Sequence, residues 1–117
     1  MTQNLTELTY TDEAVGNGIE AGKGSSFLTV HYTVWLMNPD GSTGDKVDCS
    51  RERDQPFTFP FGVRYVIRGW DEGIKGMRVG GRRILRIPSH MGYGSSGAGS
   101  KIPPHTNLIF DVELLSA

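Results

Sequence analysis

One segment of this chain keeps a different rhythm from the rest. Between residues 66 and 77, Ile67, Trp70, Ile74 and Met77 recur at i, i+3, i+7 and i+10, which is one face of a helix. Nearly everywhere else the apolar residues alternate, or the sequence is loop-like. A chain with a single short helical stripe among strands can build a core only by laying a sheet on that stripe. Asp71 and Glu72 in the first turn and Lys75 near the end suit the helix dipole. Gly69, Gly73 and Gly76 each weaken the helix by roughly 1 kcal/mol against alanine. Packing must therefore hold it, and Trp70 is the natural anchor.

The strands are read from period two. In Phe27–Leu36, the residues Leu28, Val30, Tyr32, Val34 and Leu36 share one face, with Thr29, His31 and Thr33 on the other. Asn38-Pro39-Asp40-Gly41 is a turn signal, and the stretch onward to Lys46 reads as a long loop. Val47–Ser50 is expected to form a brief strand. Phe57–Phe61 reads as another, placed at an edge or bulge by Pro60. Arg82–Ile87 should be a strand that ends at Pro88. In Asn107–Leu115 the set Leu108, Phe110, Val112 and Leu114 is expected to face inward and Asp111 and Glu113 outward. Leu5–Tyr10 is a candidate short strand. Residues 89–107 form a Gly/Ser/Pro-rich loop whose length suggests a functional role. The expectation is an α+β fold: a curved antiparallel sheet of five to six strands around one short α-helix.

Composition narrows the function classes. At 117 residues the chain fits one domain, 1–117, and its sixteen glycines suit a strongly bent, turn-rich sheet. A net charge of −1 drives the chain neither onto nucleic acid nor onto anionic lipid. Arg64, Arg68, Arg78, Arg82, Arg83 and Arg86 crowd the third quarter and read as a solvated face. A single-strand nucleic-acid binder would want aromatics interleaved with them. Cys49 is the lone cysteine, so no intrachain disulfide can form, and no apolar run approaches the length of a membrane span. These features lead us to expect a cytoplasmic protein without membrane association.

The usual reaction centres do not assemble. His31, His90 and His105 stand far apart in sequence, so no metal site is expected. The glycines at 94–99 lack a phosphate-loop ending, and no GxSxG occurs. Cys49 reads as a small packing residue. What remains is a concentration of rings: Tyr32, Phe57, Phe59, Phe61, Trp70, Tyr93 and Phe110. Phe61 reads as ordinary core. Rings that carry a few polar handles can line a pocket for a small ligand or a peptide.

Several segments in order resemble the FKBP family of peptidyl-prolyl cis–trans isomerases. They are Val30-His31-Tyr32-Thr33, Asp48-Cys49-Ser50, Gln55-Pro56-Phe57-Thr58-Phe59, VIRGWDEG at 66–73, Met77-Arg78-Val79-Gly80, Tyr93-Gly94, and IPPHTNLIFDVELL at 102–115. The similarity covers residues 5–115. It implies a sheet wrapped around the helix at 67–76, with a proline pocket between them. By that resemblance Trp70 is the floor and Tyr32, Phe57, Val66, Ile67, Tyr93, Ile102 and Phe110 are walls. Asp48 takes the place of the family's pocket aspartate, and the Ile67 N–H and the Tyr93 hydroxyl would donate to carbonyls of the bound chain. Asp48, Tyr93, Trp70 and Phe110 would carry catalysis, and Tyr32, Val47, Phe57, Val66, Ile67 and Ile102 binding.

The sequence departs from the family pattern at three places. Val47 replaces a phenylalanine common before the aspartate, Val34 replaces a glycine, and the 34–46 loop is longer. The resemblance implies isomerisation of Xaa-Pro bonds in protein segments, binding of tacrolimus- and rapamycin-type macrolides, no cofactor, and a monomer. The alternative is a catalytically weak module of the same fold that grips proline segments or partner proteins.

Overall fold

The structure, a computed structural model, describes residues 5–117; the first four residues of the polar N-terminal stretch lie outside it. In chain order the elements are β1 (Thr9–Ala14), β2 (Phe27–Met37), β3 (Thr43–Cys49), β4 (Phe57–Pro60), α1 (Arg68–Gly73), β5 (Arg82–Ile87) and β6 (Leu108–Ser116). The strands form one antiparallel sheet in the order β1-β5-β6-β2-β3, with β4 also paired to β2. This is the expected α+β architecture.

β2, the longest alternating run, organises the sheet. One edge pairs along its length with β6. Its other edge is shared: Phe27–Val30 lie opposite Phe57–Pro60 of β4, and the second half lies opposite β3. The chain between β3 and β4 leaves the sheet as a 3₁₀ turn, Ser50–Arg53. The fully buried Ser50 fastens that turn to β2, its Oγ accepting the Tyr32 N–H at 2.7 Å. The edge position expected for Pro60 holds, since β4 pairs with β2 alone.

The core lies between this sheet and α1. Leu28, Val30 and Val34 of β2 and Leu108, Phe110, Val112 and Leu114 of β6 face it. From the opposite side come Trp70, Ile74 and Met77. The helix is shorter than its stripe suggested, six residues, because Gly76 at φ +87° turns the chain out of the helical region. Its glycines have a structural use. A Cβ on Gly69 would stand 2.6 Å from the Ile87 side chain, and one on Gly73 would stand 2.9 Å from Leu85. Intrinsic helix stability is given up so that α1 can lie close on β5.

Four expectations need correction. The first strand starts at Thr9 rather than Leu5, because its register is set by pairing with Arg82–Arg86 of β5, not by its own alternation. The stretch after Asn38-Pro39-Asp40-Gly41 is not a long loop: β2 runs to Met37 and β3 starts at Thr43, so it is an extended hairpin. Asp111 does not point to solvent. It is 5% exposed and bonded to Arg82 Nε at 2.9 Å, while Ile109 on the same outer face is also buried, between Trp35 of β2 and Arg86 of β5. A central strand of this sheet is covered on both faces.

The fourth correction is Arg83, which is no part of a solvated face and is 5% exposed. Its Nη1 donates to the Gly73 and Lys75 carbonyls, both at 2.9 Å, so it caps carbonyls at the end of α1. Its Nε donates to Asp12 at 2.7 Å, and its guanidinium lies 4.0 Å from the Tyr10 ring centroid. One side chain thus ties β1 and β5 to the helix that carries Trp70. The 89–107 segment contains a 3₁₀ turn at Ser89–Met91 and an Ala98–Ile102 bridge.

Candidate functional site: a ring-lined cavity between helix and sheet

The alternation of β2 and β6 sends Tyr32, Val34 and Phe110 toward the helix side, where Trp70 of α1 meets them. Trp70 is 4% exposed, and its ring lies 5.3 Å from Tyr32, 5.3 Å from Phe59, 5.4 Å from Phe110 and 6.1 Å from Phe57, centroid to centroid. The pairs with Tyr32, Phe57 and Phe110 are edge-on, the arrangement that aromatic quadrupoles favour. A cavity of about 340 Å³ opens above this floor. Around it stand Tyr32, Val47, Asp48, Phe57, Val66, Ile67, Trp70, Tyr93, Ile102 and Phe110, every residue singled out from the sequence. Its volume is in the range of small-ligand sites.

Three residues of the site were not assigned to it from sequence. Val34 and Tyr65 line the cavity as well. Val34 sits opposite both Asp48 and Phe110, so the branch that replaces a glycine stands beside the ring-less Val47 wall. Tyr65 stands at the mouth, 65% exposed. The third is Arg53, at the end of the 3₁₀ turn, which pairs with Asp48 and donates through Nη2 to the Tyr32 hydroxyl at 2.9 Å. Neither Tyr65 nor Arg53 belongs to an apolar period, so no pattern marks them. Only the return of the chain between β3 and β4 brings Arg53 back to Asp48.

The polar edge of the cavity is a small network. The Tyr32 hydroxyl donates to Asp48 Oδ2 at 2.8 Å, and the Cys49 N–H donates to Oδ1 at 2.8 Å. Burial works to raise the Asp48 carboxyl. The bonds from Tyr32, Arg53 and the Cys49 N–H outweigh it and hold the carboxyl below the usual aspartate range. Asp48 is therefore a carboxylate at neutral pH, unsuited to proton transfer. Burial, then the bond to Asp48, raises Tyr32; burial, then the charge of Asp48, raises Tyr93. Both phenols stay neutral in the physiological range. Tyr32 spends its proton on Asp48, whereas the Tyr93 hydroxyl has no hydrogen-bond partner among the described residues and is free to donate. Cys49, half-buried beside this network, accepts a bond from Thr33 Oγ1 at 3.2 Å.

Comparison with known proteins identifies the arrangement. The family model of the FKBP-type peptidyl-prolyl cis-trans isomerases matches residues 17–115. A protein of Neisseria meningitidis serogroup A named FK506-binding protein is 56% identical over 111 residues, covering 95% of this chain and 96% of the relative. FK506-binding protein 2 of Dictyostelium discoideum is 52% identical over 93 residues, covering 80% and 66%. Among solved structures, the crystal structure of AtFKBP13 superposes with a TM-score of 0.81 at 39% identity over 99% of this chain and 98% of that one. FkpA from Escherichia coli superposes at 0.78 and 38%, over 98% of this chain and half of its own. With its sheet, helix and nearly full length matched, this chain belongs to the FKBP-type peptidyl-prolyl cis-trans isomerase family.

Proposed function

We propose that the chain catalyses rotation about Xaa-Pro bonds in peptides and protein segments, with the proline ring seated on Trp70 in the ring-lined cavity. The observation that carries this reading is the composition of that cavity: six aromatic residues, one carboxylate held ionised, and the Tyr93 phenol, which has no hydrogen-bond partner among the described residues. No covalent bond is made or broken, so acids and bases are not required. The barrier, about 18–20 kcal/mol, arises from the partial double bond of the amide. Water stabilises the charge-separated resonance form that stiffens this bond. A cavity walled by Phe57, Phe110, Ile102 and Val47 withdraws that help, which favours the twisted amide over the planar one and so binds the transition state more tightly than the ground state.

The polar groups then direct the chain. The Tyr93 hydroxyl and the Ile67 N–H donate to substrate carbonyls, and Asp48 faces the twisting carbonyl as a fixed charge. The same cavity would take macrolides of the tacrolimus and rapamycin type, in keeping with the names of the relatives. Among the described residues no helix is long and apolar enough to cross a membrane. The reading takes residues 1–117 as one isomerase unit that acts as a monomer in the cytoplasm, in keeping with its lone cysteine.

The test is NMR exchange of a short Xaa-Pro peptide, with and without stoichiometric rapamycin. Acceleration that rapamycin abolishes supports activity and pocket together. Rapamycin binding without acceleration would replace the isomerase by a binding module of the same fold.

A further inference from the structure

The segment 61–67, between β4 and α1, borders two depressions. On one side Tyr65, Val66 and Ile67 line the proline cavity. On the other, Phe61, Gly62, Arg64, Val66 and Arg68 line a second groove, closed by Asp71, Glu72 and Lys75 of α1 and the turn after it. Val66 is common to both. The ridge is firmly held. The Asp71 carboxylate accepts the Gly62 N–H at 3.0 Å and the Arg64 N–H at 2.9 Å, and fixes Arg64 in the left-handed region at φ 62°.

The charges of this groove are unevenly committed. Asp71 is occupied by backbone N–H groups, and Glu72 pairs with Arg68. Among the described residues, Arg64 and Lys75 have no carboxylate partner. The groove therefore carries a net positive charge, with Arg64, Arg68 and Lys75 against Asp71 and Glu72, and its Arg64 and Lys75 side chains are free of ion pairs among the described residues beside the exposed Tyr65, on a protein whose net charge is −1.

We propose that the second groove receives the flank of the polypeptide whose proline occupies the cavity, and that it selects acidic residues in that flank. This inference rests on the isomerase reading of the cavity and adds a substrate class to it: proline segments bordered by glutamate or aspartate. The chain crosses the ridge over Val66, with Tyr65 covering the residue next to proline, and its carboxylates meet Arg64 and Lys75. Charges at such an exposed surface steer and select more than they tighten.

The experiment uses peptides with an Ala-Ala-Pro-Ala core carrying three glutamates on the amino side, three on the carboxyl side, or glutamines in the same places. They are assayed by NMR exchange with the wild-type chain and with the Arg64→Glu/Lys75→Glu variant. The wild type should prefer one glutamate peptide over its glutamine match by roughly three- to tenfold in kcat/KM, chiefly through KM, as two exposed ion pairs allow. That preference should vanish at about 0.5 M salt and in the variant. Equal kcat/KM for glutamate and glutamine peptides in the wild type at low salt would overturn the proposal. If no peptide exchanges faster, the isomerase reading fails instead. The groove is then judged by titration alone, with amide shifts of residues 61–75 moving for a glutamate peptide and not for its glutamine match if the proposal is right.

Discussion

The floor of the cavity and its polar edge are built in opposite ways. The floor is Trp70 on Phe59 and Phe110, almost without exposure and backed by the whole sheet. The edge is Asp48, Tyr32 and Arg53, a partly exposed network held by local hydrogen bonds around a 3₁₀ turn. The floor carries folding energy and shape at once, so truncating it lowers stability and activity together. The edge contributes little to folding and can be altered with the shape intact. Stability and activity are thus separable at the edge and coupled at the floor.

The largest effect that sharpens this contrast is expected for Trp70→Ala. Truncating a buried tryptophan costs about 3–5 kcal/mol, and the melting temperature and the exchange rate should fall together. Next is Arg83→Ala, which leaves two carbonyls at the end of α1 and Asp12 without their donor. A loss of about 2–4 kcal/mol in denaturant unfolding is expected. Rapamycin affinity should drop less than stability does, because Arg83 lies behind the floor rather than in the cavity.

Asp48→Asn should do the reverse. Exposed ion pairs contribute about 0–1 kcal/mol, so unfolding should change little. The exchange rate should fall roughly five- to thirtyfold, which corresponds to about 1–2 kcal/mol of barrier. If stability fell as much as rate, the edge would be structural and the contrast would break. The smallest effect is expected from pH. Because the Asp48 pKa is depressed, its charge and its stabilising bonds are fully present above the ordinary aspartate value and disappear only as pH falls through the depressed one. Tyr32 and Tyr93, both raised, keep their protons to beyond about pH 10. The exchange rate should therefore vary less than about twofold from pH 6 to pH 9. A steep change near pH 7 would point to general acid–base work.

The same contrast governs what could be read in advance. The floor follows from period: Val30, Val34, Phe110 and Val112 alternate, Trp70 falls on the helical stripe, and the sheet-on-helix core follows. Arg82–Ile87 ends at Pro88 as its sequence suggests. What escaped depends on the path of the chain rather than on its period. Arg53 reaches Asp48 only because the chain leaves the sheet between β3 and β4. Arg83 looks like one of six surface arginines until β1 folds over it. Asp111 reads as outward until Arg82 and the neighbouring strands cover it. Tyr65 carries no signal in the sequence, because an exposed ring in a loop has no periodic signature. The walls themselves are legible only through resemblance to the family, since spacing alone points no further than a pocket for a small ligand or peptide.

The most direct test of the account is the exchange rate of one Xaa-Pro peptide measured by NMR on wild-type protein and on Trp70→Leu, with a thermal melt of each sample. Leucine keeps the floor apolar and the chain folded but removes the ring on which proline is seated. The expected result is a folded variant whose acceleration is lower by about tenfold or more, equivalent to about 1.4 kcal/mol of transition-state binding. A folded Trp70→Leu protein that accelerates exchange as fast as the wild type would contradict it.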